Sequence, residues 1–113
     1  MKDNMNIQLT PQDIHDTKDF IQFFEEIPEK EWCTGQVTKF VDNGKPQHCA
    51  YGHLYFRYPS KSNLNELRRL EYIFKKFSKS TYSSTAEIND KGFELGNHPK
   101  ERILNALKLL LKE

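Results

Sequence analysis

Most of the residues and patterns that commonly announce a function are missing or scarce here. Cysteine occurs twice in 113 residues, too seldom for a disulfide framework. Cys33 and Cys49 could bridge in principle, but the expectation is a pair of reduced thiols. Neither sign of charge is in excess: 17 basic residues face 16 acidic ones, for a net charge of +1. Nothing in that balance demands DNA, RNA or an acidic surface as partner. No run approaches the roughly 18 apolar residues that a membrane span needs. The start, MKDNMNIQLT, lacks the apolar core of a secretory signal. Glycine-rich phosphate loops, H-E-x-x-H, calcium loops and G-x-S-x-G are all absent. These gaps point to a cytoplasmic protein with no membrane attachment and no cofactor.

What is present suits one small globular domain. The apolar share is low, at 36%, but aromatics make up 12%. Each Phe or Tyr buries a large area, so a compact core is within reach. Frequent Lys, Asn, Ile, Phe and Tyr suit an AT-rich bacterial or phage genome. The rarest residues are concentrated in Trp32–Leu54. This segment holds the only tryptophan, both cysteines, two of four histidines and three of five glycines. Such concentration marks either the structural knot of a fold or a site.

Residues 1–9 read as a loose segment and 10–113 as the domain. Thr10-Pro11-Gln12-Asp13 is a helix start, with Thr as N-cap, Pro at the first helical position and an acid at the third. Ile14, Phe20, Ile21, Phe23, Phe24 and Ile27 give that helix an apolar face, with a break expected near Asp16 and an end at Pro28. Gln36 to Val41 suits a strand. Asp42-Asn43-Gly44-Lys45 suits a tight turn. A short return strand and then a helix are expected up to Tyr58. Leu64, Leu67, Leu70, Ile73, Phe74 and Phe77 repeat at helical spacing and predict a helix over 63–78. Thr85 to Asn89 reads as a weak strand. His98-Pro99 opens a last helix with Ile103, Leu104, Leu107, Leu110 and Leu111 inside. The predicted fold is α+β: about four helices packed on a small two- or three-stranded antiparallel sheet.

Three kinds of chemistry compete for the special residues. Cys33, His48, Cys49 and His53 are suitable atoms for zinc, but neither a C-x-x-C nor an H-x-x-x-H pair is present, so no metal is expected. A catalytic set could use Cys49 as nucleophile at a helix N-terminus, His53 (or His48 or His98) as base and Asp90 or Asn89 to orient it. Lys75, Lys76 and Lys79, with Tyr72, Tyr82 and Phe77 among them, could form a basic aromatic patch for nucleic acid, and Arg68 and Arg69 add to the local basic cluster. The bland alternatives are a buried cysteine, solvated histidines and a solvated helix face. Trp32 is expected as a core anchor beside Cys49 or, failing that, as part of a binding surface. Tyr51, Tyr55, Phe56 and Tyr58 are the other candidates for such a surface.

The pieces EWCTG, DNG, CAYGHL and Ile88-Asn89-Asp90, followed by the closing helix, resemble an uncharacterised family of small bacterial proteins. That family's pattern is W-x-x-G, a Gly-containing turn, C-x-x-G-A-L, W-N-D and a final amphipathic helix, matched over roughly residues 17–111. His53 replaces the usual Ala and Ile88 the usual Trp. The resemblance implies a shared fold and no assigned activity. The functional expectation is a non-enzymatic protein-interaction domain, of the kind that phage or mobile-element accessory proteins use to bind a host protein. The alternatives are a cysteine-dependent hydrolase or transferase using Cys49, and a nucleic-acid-binding module.

Overall fold

The computed structural model describes residues 8–41, 44–57 and 60–112. Five helices and one short hairpin make up this α+β, mostly helical, chain. Helix α1 runs Pro11–Glu25 without the break expected near Asp16. Its start is a capping box: the Asp13 N–H donates to Thr10 Oγ1 and the Thr10 N–H to the Asp13 carboxylate. The helix continues through Asp16 because that acid is buried and satisfied. Gln12 Nε2 donates to it at 2.9 Å, and Arg69 forms an ion pair with it. One 3₁₀ turn, Glu29–Glu31, follows.

Strands β1 (Thr38–Lys39) and β2 (Gln47–His48) pair antiparallel, Thr38 opposite His48 and Lys39 opposite Gln47. Asp42 and Asn43, on which the expected turn depends, lie outside the described residues. The far side of β2 takes a parallel bridge from Trp32, with the Cys33 N–H on the His48 carbonyl at 3.0 Å. Helix α2 (Ala50–Arg57) follows directly, which is the short return and helix expected for this stretch. Helix α3 is Ser60–Phe77.

The strand expected over Thr85–Asn89 is instead helix α4, Thr85–Lys91. The β-branched residues there suggested a strand. Local capping decides otherwise: Ser84 Oγ accepts from the Glu87 N–H at 3.2 Å and bonds its carboxylate at 3.1 Å. Ile88 then enters the core at full burial. Helix α5, Pro99–Leu110, starts at His98, whose Nδ1 accepts from the Lys100 N–H. Among the described residues the fold has five helices and two strands, against about four and two or three expected. Phe20, Phe24, Trp32, Leu54, Leu70, Ile73, Phe74, Ile88, Ile103 and Leu107 form one core in which all five helices take part.

Candidate functional site

The special residues of 32–54 divide between two sides of α2. The first side is a closed clamp around Asn89, which is fully buried. Its Oδ1 accepts from the Ala50 N–H at 3.1 Å, the first residue of α2. Its Nδ2 donates to the Cys33 carbonyl at 3.0 Å and to Asp90 Oδ1 at 2.8 Å. One amide thus ties α4 to the helix start and to the Trp32–Cys33 strand. Behind it, buried Arg102 donates to the carbonyls of Asn89, Gly96 and Asn97, and its guanidinium lies 4.6 Å from the Phe93 ring centroid. A buried guanidinium that satisfies three carbonyls is a structural tie.

Cys49 belongs to this closed side. Its thiol is buried, and burial pushes its pKa up; the N–H groups of Gly52 and Tyr51 pull the other way but do not prevail, and Asp90 adds to the rise. Cys33 is raised as well, by burial first and then by Cys49 and Asp90. Both remain thiols at neutral pH, and a thiol is the weak form of the nucleophile. Gly52 is fixed by contact: a Cβ there would meet the Val37 carbonyl at 2.4 Å and His48 Cβ at 2.8 Å. The close approach expected of Gly52 is therefore to the hairpin.

The second side is an open groove of about 420 Å³. Phe23, Glu26 and Ile27 at the end of α1, together with Glu31, form one wall; His48, His53, Phe56 and Arg57 form the other. Trp32 is buried between the two sides, its ring 4.8 Å from His53 and 5.5 Å from Phe24, with Nε1 donating to the Ile27 carbonyl at 3.4 Å. His53 is 7% exposed. It hydrogen-bonds the Glu31 carbonyl, and its Nε2 has no partner. The donor is accordingly Nδ1–H, and Nε2 is an unanswered acceptor. Burial, and then His48, lower its pKa to about 4. His48 is lowered by burial too; its Nδ1 bonds Thr38 Oγ1 at 2.9 Å. Phe56 stacks on His48 with centroids 4.7 Å apart and stays 60% exposed. Tyr55 packs edge-on against Phe56 at 5.0 Å and is half exposed.

Of the expected catalytic set, Cys49 is a buried thiol raised by burial and by Asp90, and His53, one helical turn on with its backbone N–H on the Cys49 carbonyl at 2.9 Å, gives its ring Nδ1–H to Glu31 and faces Trp32 and His48. Of the expected contact aromatics, Trp32 is core and Tyr55 is at the surface. Tyr51 is half-buried, its hydroxyl donating to Glu71 at 2.7 Å, and burial and that carboxylate push its pKa up. Tyr58 lies outside the described residues. In the expected basic patch, Lys75 pairs with Glu71, Lys76 lies over the Tyr72 ring and Lys79 donates to the Lys112 carbonyl at 3.5 Å, while Arg69 pairs with Asp16. Among the described residues no cluster of three or more His, Cys, Asp or Glu could hold a metal ion, and no helix is long and apolar enough to cross a membrane. Sequence reasoning missed the Asn89 clamp, Arg102 and the groove walls Glu26 and Glu31. Asn89 stood out only beside Asp90 as a candidate orienting group; the groove had no signal, because four separated segments build it.

Comparison with family models, with curated proteins and with solved structures gives no match. Fold and site together define a small, mostly helical α+β domain with a clamped knot and an aromatic-edged groove.

Proposed function

We propose that this chain is a non-enzymatic protein-interaction domain that binds through the face made by Tyr55, Phe56 and His48. The observation that carries this is Phe56: a large apolar ring left 60% exposed yet held by stacking on His48. Its helix is anchored at its start by Asn89 and at Gly52 by the hairpin. Exposed aromatics on a rigid mount give contact area with little ordering cost on binding. Val37 flanks the face, itself half exposed and in contact at Gly52. The two buried thiols suit a cytoplasmic setting. The proposal extends to an accessory protein of phage or mobile-element origin acting on a host protein, with the AT-leaning composition as its support.

The cysteine-dependent reading retains one supporting contact, the Gly52 and Tyr51 N–H groups directed at the Cys49 thiol. Burial outweighs it. The test of the main reading is affinity capture from a bacterial lysate with wild type and Phe56→Ser, followed by identification and purification of the captured protein. Binding of the purified protein by wild type, with loss in Phe56→Ser at an unchanged melting temperature, is the expected result. Undiminished binding by Phe56→Ser, or substrate turnover by the wild type, would overturn it.

A further inference from the structure

The groove's electrostatics are unfinished, and they specify what would finish them. Helix α1 ends in Glu25 and Glu26 with no basic residue in its last turn. Acids there sit at the negative end of the helix dipole, which is the unfavourable end for them. Glu25 is answered by Lys108 at 3.0 Å. Glu26, exposed on the groove, has no ion-pair partner among the described residues. Glu31 has only Lys45 at 3.9 Å, and that lysine is 80% exposed. Among the described residues Arg57 is the cation lining the groove wall, with Lys45 reaching Glu31 from its edge. The imidazoles of His48 and His53 are neutral at pH 7. With Lys45 counted beside Arg57, two carboxylates face two cations, and Glu26 is the carboxylate left without an ion pair among the described residues.

The second observation is independent of charge. His53 is more than nine-tenths buried on the groove wall, with an Nε2 lone pair that no donor meets. Buried polar atoms in folded proteins are nearly always hydrogen-bonded, so such an acceptor calls for a donor. Beside it Phe56 presents an exposed ring face stacked over His48. The missing group is therefore cationic, rich in donors and flat. An anion would meet Glu26 and Glu31, and an apolar group would leave them unpaired. A lysine ammonium supplies charge without a plane to stack. A guanidinium supplies charge, five donors and a planar face.

Resting on the interaction reading above, we propose that the groove receives an arginine side chain presented by a basic segment of the partner protein. A volume of about 420 Å³ accommodates it, and the open shape suits a side chain arriving on a polypeptide. The test is an NMR titration of the full chain with a capped Gly-Arg-Gly peptide, alongside the citrulline and glutamate counterparts. Saturable shifts at the Glu31 amide and at the His53 and Phe56 rings are expected with arginine alone, the citrulline peptide binding about tenfold or more weakly. Glu26→Gln with Glu31→Gln should weaken the arginine peptide about tenfold and leave the melt in place. Equal binding of the citrulline peptide, or shifts that map away from the groove, would overturn the proposal. If the arginine peptide leaves the groove silent while Phe56→Ser still abolishes partner binding, the arginine inference falls and the interaction reading stands. If Phe56→Ser has no effect on partner binding, the interaction reading falls and takes the inference with it.

Discussion

The two sides of helix α2 use the same stretch of chain in opposite ways. On the clamp side the key polar groups are answered: Asn89 meets Ala50, Cys33 and Asp90, and Arg102 meets three carbonyls. On the groove side, among the described residues, His53 Nε2 has no partner and Glu26 no counter-ion, and Phe56 is largely exposed. Satisfied burial is what a fold needs to hold one shape. Unsatisfied groups at a surface are what a second molecule can complete. The rare residues of 32–54 thus serve both ends, the cysteines for the fold and the histidines for the groove.

Trp32→Ala should break the comparison most severely, because that ring sits between both sides. A loss of about 3–5 kcal/mol is expected from removing a fully packed aromatic, comparable to the whole stability of a small domain. Equilibrium unfolding in urea measures it. A Trp32→Ala melt that matched wild type would show that the indole belongs to a binding surface.

Next is Asn89→Ala, which leaves the Ala50 N–H and the Cys33 carbonyl buried without partners. At about 1–3 kcal/mol for each orphaned group, a cost of roughly 2–6 kcal/mol is expected. Hydrogen exchange should locate the loss at the start of α2 and around Cys33. Uniform loosening of the whole chain would count against the clamp.

Acid should separate the sides without any mutation. His53 has an ordinary value of 6.5 and a folded value of about 4. Between those values the unfolded chain binds a proton that the folded chain refuses. Stability therefore falls as pH drops from about 6.5 to about 4, and this contribution levels off below. The span amounts to about 3 kcal/mol. Glu71 acts in a lower window. Burial would raise it, but hydrogen bonds from Thr85 and Tyr51 and the nearby Lys75 outweigh that and hold it below its ordinary 4.5. Its stabilisation is complete above that value and is lost as pH falls through the folded value. In His53→Leu the slope between pH 6.5 and 4 should flatten; an unaltered slope would assign it elsewhere.

The smallest effect on stability is expected from Phe56→Ser. An exposed side chain changes unfolding free energy by no more than about 0.5 kcal/mol. A drop of several kcal/mol in urea unfolding would make Phe56 part of the core.

Much of the scaffold was legible because its signals are local. Thr10-Pro11-Asp13 marks a cap, and the Leu67 to Phe77 spacing marks one helical face. Helix α4 was misread because Thr85 and Ile88 favour strands, while the decisive signal was the Ser84–Glu87 capping pair just before them. The uninterrupted α1 was missed because Asp16 is satisfied by Arg69, 53 residues away. The site was legible in part. Gly52 implied a close approach, and His53 stood out as polar where packing was expected. The Asn89 clamp spans 39 and 56 residues of chain, and no local pattern records such distances.

The central claim is that Cys49 is closed off beside the Asn89 clamp while the groove on the other side of α2 is open. Iodoacetamide alkylation of the native protein as a function of pH tests it most directly, with Cys49 and Cys33 read separately by mass spectrometry. Burial raises both thiols above the ordinary 9.0; Cys49 should resist alkylation at neutral pH and react only as the chain opens, while Cys33, which edges a second pocket of about 270 Å³, should be the more readily alkylated of the two. Rapid alkylation of Cys49 with an apparent pKa well below the roughly 8.5 of a free thiol would contradict the account and move the functional site to the cysteine side.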